Sequence, residues 1–183
     1  MSTLTASDWV LAAARRLASH GVDQVRVEPL AQSLGVSKGS FYWHFASREA
    51  LLAGVLEMWE SQGTEAIIAA VDATAGPPPA RVHALITHTF GQPEHDGIEL
   101  GIRAWARHDP LAAATAARVD KRRIGYVTGL LSECGIDAGV ARTRAEFMYR
   151  TLIGEFVLRS HGHDPLPPGT LKRLGDTLVL PPS

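Results

Sequence analysis

The run from Val27 to Arg48, VEPLAQSLGVSKGSFYWHFASR, leaves few folds open to this chain. Leu30, Ala31 and Leu34 recur at helical spacing, and Gly35 stops that helix. Val36 closes a corner. Ser37 stands where a hydroxyl accepts from the unpaired N–H groups that open a second helix. In that second helix Phe41 and Phe45, four apart, share a core-facing side. A turn of about 100° per residue puts Gly39, Ser40 and Trp43 on the opposite side, flanked by Tyr42 and His44. A short helix with aromatic, hydroxyl and basic groups turned outward suits contact with a partner better than filling a core. Two such helices around a tight turn have the shape of a helix-turn-helix, whose second helix enters the DNA major groove by its N-terminal turn.

Composition sets the compartment and the class. The 183 residues suffice for one or two small domains, and 45% hydrophobic with 20% charged content describes a soluble globular chain. No apolar run approaches the ~20 residues that span a bilayer. The opening MSTLTASDWV lacks the basic-then-apolar layout of a signal peptide. A single cysteine, Cys134, excludes an intrachain disulfide framework and fits a reducing compartment, so a cytoplasmic protein is expected. Net charge is −1 overall. Up to Arg48, five bases (Arg15, Arg16, Arg26, Lys38, Arg48) face three acids (Asp8, Asp23, Glu28), a modest positive bias.

The remaining elements follow from caps and breakers. A first helix runs from Ser7 or Asp8 to His20, with Val10, Ala14 and Leu17 as its buried stripe and Gly21 as its stop. Ser47 caps a long helix through Leu51, Leu52, Val55, Leu56 and Trp59, with apolar helical spacing persisting to about Ala73 and a bend at Gly63. Gly76-Pro77-Pro78-Pro79 breaks it. Further helices are read over 80–90, 94–107, 111–134, 138–160 and 168–179, with Asp109-Pro110 supplying a cap and a first-turn proline. Strand alternation and internal repeats are absent. The expected fold is all-α with about nine helices. A three-helix helix-turn-helix domain (1–47) and a connecting helix (48–73) lead into a helical-bundle body, the second domain being 48–183.

Leu30-Ala31, Gly35-Val36-Ser37, Phe41-Tyr42-Trp43-His44-Phe45 and Arg48-Glu49-Ala50-Leu51-Leu52 together resemble the DNA-binding domain of the TetR family of transcriptional regulators, over about residues 8–60. Arg103-Ala104-Trp105-Ala106 ahead of Asp109-Pro110 is similar to the body of some members. The resemblance implies a homodimer on a palindromic operator of double-stranded DNA. It further implies a repressor released when a small, hydrophobic effector enters the body. Lys38 is then placed to donate to guanine O6 or N7, Gly39 to let the backbone approach, and Ser40 to join them at the entry of the reading helix. Tyr42, Trp43 and His44 resemble the family's backbone-contacting cluster, and Ser37 and Arg48 would hold the two helix ends on the sugar-phosphate backbone. One stretch departs from the pattern. Arg26-Val27-Glu28-Pro29 stands where members carry a capping threonine and a base-reading residue. Glu28 suits the positive end of a helix dipole, or can accept from a cytosine N4 amino group; both readings stay open.

The body offers two further sets. Between Ala141 and Val157 apolar residues cover more than one stripe, so two faces are expected to be buried. The family places its dimer interface on the last two helices, which here points to Tyr149, Ile153, Phe156 and Val157 with Leu171, Leu174 and Leu178. A family effector pocket would draw on Trp59, Phe90, Ile102, Trp105, Tyr126, Leu130, Phe147 and Met148. Catalytic and metal-binding patterns are missing. His161-Gly162-His163-Asp164 reads as a helix C-terminal turn, and His83 with His88, or His95 with Asp96, lack ligand spacing. Without a nucleophile elbow, P-loop or dinucleotide fingerprint, no cofactor, metal or catalytic residue is expected. A helical-bundle enzyme or carrier without DNA binding is the rival reading.

Overall fold

The computed structural model describes residues 4–91 and 96–180. Regular structure among them is helical throughout: α1 (Ala6–His20), a 3-10 turn (Val22–Gln24), α2 (Val27–Ser33), α3 (Lys38–Tyr42), α4 (Arg48–Glu60), a π-helical segment (Ser61–Glu65), α5 (Ala66–Asp72), α6 (Pro78–Phe90), α7 (Asp96–Ala106), α8 (Pro110–Glu133), α9 (Ala138–Ser160) and α10 (Pro168–Val179). Because α4, the π segment and α5 are continuous, the described residues form nine helical rods. A helix start at Glu94, and His95, lie outside the described residues. Two compact units emerge, Met1–Ser61 with Gly97–Ala116, and Gln62–Asp96 with Ala117–Ser183.

The first unit is built by local signals that agree with one another. Thr5 and Asp8 cap each other's backbone N–H at the start of α1, at 2.7 and 3.3 Å, so that the helix begins one or two residues ahead of the expected start. Trp9, Ala13, Ala14 and Leu17 are buried along α1, whereas Val10 is only half-buried. Gly35 takes φ +70°, a left-handed conformation that turns the chain from α2 to α3. The Val36 N–H then donates to Ala31 O at 3.0 Å. Phe41 is fully buried, edge-on to Trp9 at 5.3 Å and stacked on Phe45 at 5.6 Å. Ser47 caps α4 by accepting from the Ala50 N–H at 3.2 Å, and Asp109 caps α8 by accepting from the Ala112 N–H at 2.9 Å.

The long helix after Ser47 contains a feature that the expected bend at Gly63 only hinted at. Ser61–Glu65 winds as a π-helix, a form found mostly as single-turn bulges in α-helices. Two arginines of α8 hold it. Arg123 donates to Gly63 O at 3.1 Å and to Thr64 Oγ1 at 2.9 Å, and Arg122 forks onto both Glu65 oxygens at 3.0 and 3.1 Å.

In the second unit α10 lies against α6 so closely that a Cβ at Gly175 would sit 2.5 Å from the His83 ring. Arg144 of α9 donates to Leu178 O and Leu180 O, at 2.8 and 2.5 Å, tying down the end of α10. Arg159 is almost fully buried. It forks onto Asp96 at 2.6 and 2.8 Å, donates to Phe90 O, and lies 5.5 Å from the Phe156 ring centre. A buried guanidinium needs acceptors, and this cluster supplies one at each of its three nitrogens. His161 and Gly162 (φ +87°) end α9, and the His163 N–H closes back on Leu158 O at 3.2 Å. Among the described residues no three His, Cys, Asp or Glu gather as a metal would need, and no helix is long and apolar enough to cross a membrane.

Candidate nucleic-acid interface

The tight turn divides the residues around α3 into two groups. Phe41 anchors one side in the core, and its neighbours are pushed out of it. Trp43 is 88% exposed and Tyr42 is 57% exposed, although both are large and aromatic. Neither the Tyr42 hydroxyl nor the Trp43 indole N–H has a partner among the described residues, so both donors face outward. His44 is half-buried beside them, and Ser37, Lys38 and Gly39 are exposed with Ser40 half-buried. Seven of the eight expected contact residues thus stand on one continuous stretch of chain, with hydroxyl, indole, imidazole and ammonium donors.

Two details differ from expectation. The Ser37 side chain makes no capping hydrogen bond; α3 begins through the backbone, with the Ser40 N–H donating to Ser37 O at 3.0 Å. Its hydroxyl is left for an external acceptor. Arg48 turns inward instead of out. Its Nε donates to Val25 O and its Nη2 to Val22 O, each at 2.6 Å, bracing the loop ahead of α2 against the start of α4. A side chain spending its fork on two internal carbonyls is a structural tie.

Glu28, weighed from sequence as a cap or a base reader, has a third role in the structure. Lys38 Nζ donates to Glu28 Oε1 across the turn, joining the first turns of α2 and α3. That hydrogen bond, with the lysine's charge, holds the Glu28 carboxyl below the ordinary carboxylate range, and reciprocally raises the Lys38 ammonium. Sequence spacing does not advertise a contact ten residues apart; only the geometry of the turn makes it.

Gly39 is free of internal constraint. A Cβ there would meet only Ser37 Oγ, at an ordinary 3.6 Å, and the backbone is not left-handed. Nothing in the fold requires a glycine at this position.

The other two expected sets scatter. Of the pocket candidates, Trp59, Ile102 and Trp105 are buried in the first unit, where Trp59 Nε1 donates to Glu99 Oε2 at 2.8 Å. Phe90, Leu130 and Met148 are buried in the second unit, with Tyr126 half-buried and donating to Asp72 Oδ1 at 2.6 Å. Burial pushes the Tyr126 phenol upward, so it stays protonated as a donor. Phe147 does not belong with them: at 68% exposure it stands on the outer side of α9. The dimer candidates divide as well. Tyr149, Phe156 and Leu178 are buried within their own unit, and the Tyr149 hydroxyl donates to Asp120 at 2.6 Å. Val157 is exposed, while Ile153, Leu171 and Leu174 are half-buried. α9 carries apolar residues on more than one face, and its own unit claims the face with Tyr149 and Phe156. Cys134 is half-buried, and desolvation with the neighbouring Glu133 raises its thiol, the reverse of an activated nucleophile.

A three-helix domain that locks one side of a short helix into its core and turns donors outward from the other defines a helix-turn-helix DNA-binding protein. Residues 10–55 match the family model of bacterial regulatory proteins, tetR family. That match covers the helix-turn-helix and the start of α4, and with this domain the chain is similar to TetR-family proteins and is a DNA-binding transcriptional regulator. Solved structures share its fold. A transcriptional regulator of Rhodococcus sp. RHA1 is 18% identical with a TM-score of 0.76, over 96% of this chain and 94% of that one. A regulator of Saccharomonospora viridis in complex with choline is 16% identical, TM-score 0.77, over 94% of each chain. FadR of Bacillus subtilis in complex with stearoyl-CoA is 17% identical, TM-score 0.70, over 94% of this chain and 97% of that one. Comparison with curated protein sequences returns no match.

Proposed function

We propose that the chain is a cytoplasmic, homodimeric repressor that holds a palindromic operator and leaves it when a small, hydrophobic effector binds. Its helix-turn-helix domain is read as residues 1–47, followed by the connecting helix 48–73, with effector binding and dimerisation in 48–183. The observation that carries the DNA contact is Trp43, a tryptophan 88% exposed one residue from the tyrosine it shares a surface with. Exposing that much apolar area costs solvation, at about 25 cal/mol per Å², and a partner surface relieves it. Tyr42, Trp43, His44 and Ser37 donate to phosphates and set the register, while Lys38, Gly39 and Ser40 enter the major groove.

One copy carries one reading helix, and a palindrome needs two, spaced about one DNA turn of ~34 Å. The outer face of α9 suits the second copy. Phe147, Val157 and Leu158 are exposed there, Ile153 is half-buried, and Gly154 opens onto free space that a partner helix can enter closely. For the effector, the support is chemical likeness: regulators of this fold were solved with choline and with stearoyl-CoA. The apolar interior of the second unit around Phe90, Leu130 and Met148 is the part of the chain such an effector would enter. An effector that prefers the released form by a few kcal/mol suffices to empty the operator.

The test is selection of the purified protein against a random duplex library, followed by sequencing. An enriched palindrome is expected. Enrichment of a single unrepeated half-site would remove the two-fold reading, and no enrichment by folded, effector-free protein would remove these residues from DNA recognition.

A further inference from the structure

Glu28 and Lys38 make an unusual pair to present to DNA. Both side chains are more than half exposed, at 64% and 51%, and they are joined to each other at the mouth of the reading helix. A carboxylate beside phosphates is repelled unless it meets a hydrogen-bond donor. In the major groove the available donors are the amino groups of cytosine (N4) and adenine (N6). The lysine, for its part, has spent one of its three N–H donors and much of its charge on the carboxylate. Two of its donors remain, and so does the second carboxylate oxygen, Glu28 Oε2.

We infer that Glu28 and Lys38 act as one charge-neutral reading unit, specific for a G·C base pair at one position of each half-site. This rests on α3 being the DNA-reading helix. The donor and acceptor patterns of the pair and of the base pair match. A G·C pair presents two acceptors, N7 and O6 of guanine, beside one donor, N4 of cytosine. O6 and N4 are themselves hydrogen-bonded within the base pair, about 2.9 Å apart. That is the spacing of an ammonium and a carboxylate in contact, so Lys38 fits guanine while Glu28 accepts from cytosine without either letting go. An A·T pair matches less well: with Lys38 on adenine N7 and Glu28 on N6, the thymine O4 acceptor faces the carboxylate. The unit also separates specificity from affinity. Because its charge is internally compensated, it contributes little to binding of arbitrary duplexes, and a wrong base leaves one of its two charges facing a like partner.

The departure at Arg26-Val27-Glu28-Pro29 then has a purpose. Val27 and Pro29 hold the first turn of α2, whose Leu30 is buried, and Glu28 is the outward residue between them. Pro29 fixes backbone geometry where an N–H would have no helical acceptor, which steadies the position from which Glu28 reaches Lys38.

The experiment compares wild type, Glu28→Gln, Lys38→Gln and the double variant in the same random-duplex selection. The folded state is checked by circular dichroism; both side chains are exposed, so folding is expected to survive. Wild type should enrich a half-site with an invariant G·C position. Each single variant should lose the preference at that same position, by roughly 5- to 150-fold on isolated duplexes, and keep it elsewhere. The double variant should lose no more than either single one. Freed from its carboxylate, Lys38 in Glu28→Gln should turn to phosphate and steepen the salt dependence by about 0.9 per subunit in log K against log salt. Single variants that alter different positions, or alter none while wild type enriches a site, overturn the reading unit alone. Wild type that enriches no sequence overturns both it and the DNA contact on which it rests.

Discussion

Replacing Arg48 with alanine separates a structural tie from a phosphate contact. The guanidinium donates to Val25 O and Val22 O at 2.6 Å each, 23 and 26 residues back along the chain. A hydrogen bond from a charged group contributes about 1.5–3 kcal/mol. The side chain is half-buried, so water recovers part of each bond when it is cut, and a total near the lower end, about 2–4 kcal/mol, is expected. For a chain of this size that corresponds to a fall in Tm of roughly 4–16 °C. Arg48→Lys retains the charge but cannot fork, and should recover no more than half of the loss. The assay is a urea titration of wild type and both variants, with operator binding measured over a range of salt at a temperature where all three are folded. The salt slope should be unchanged in both variants. If Arg48→Ala keeps wild-type stability while its slope falls by about 0.9 per subunit, the guanidinium holds a phosphate and the internal bonds contribute little.

Three further substitutions probe the interface and the body. Gly39→Ala should stabilise the protein slightly, by up to about 1 kcal/mol, since the new methyl meets only Ser37 Oγ at 3.6 Å. The same variant should bind the operator at least tenfold more weakly if the backbone lies close to DNA, and undiminished binding would remove that approach. Phe147→Glu, at a side chain 68% exposed, should leave the melting temperature of the monomer unchanged and shift sedimentation toward monomer; an unaffected dimer moves the interface off the outer face of α9. Gly175→Ala drives a methyl to 2.5 Å from the His83 ring and should cost about 1–3 kcal/mol by overpacking, with His83→Ala in the same chain recovering part of that loss in a double-mutant cycle.

Much of the helical layout was legible because it is written locally. Gly35, Ser47, Asp109 and the Gly-Pro-Pro-Pro break act within four residues of where they stand, and the helices expected over 138–160 and 168–179 are α9 and α10 as found. Outward Trp43 was legible for a similar reason: with Phe41 committed to the core, the turn angle leaves Trp43 no inward direction. What escaped depends on contacts between distant segments. Trp9 and Val10 are adjacent and both apolar, and only the position of Phe41 decides that Trp9 enters the core. Arg48 reaches carbonyls that no spacing rule connects to it. In α9 apolar residues spread over more than one stripe, so periodicity could not say that Tyr149 and Phe156 face inward while Phe147 faces out. The Lys38–Glu28 bond required the turn itself.

The π segment also changes how the long helix should be read. Its buried residues step through Leu52, Val55, Leu56 and Trp59 at the familiar three-and-four rhythm, then jump five to Thr64 before resuming at Ile68 and Val71. A single supernumerary residue has been spliced in, and the apolar stripe is out of phase on its two sides. A strict 3.6-residue reading carried across Ser61–Glu65 assigns the wrong side to everything beyond. Removing one residue there would turn the step of five into a step of four, which an unbroken α-helical ladder carries with the buried stripe still in phase.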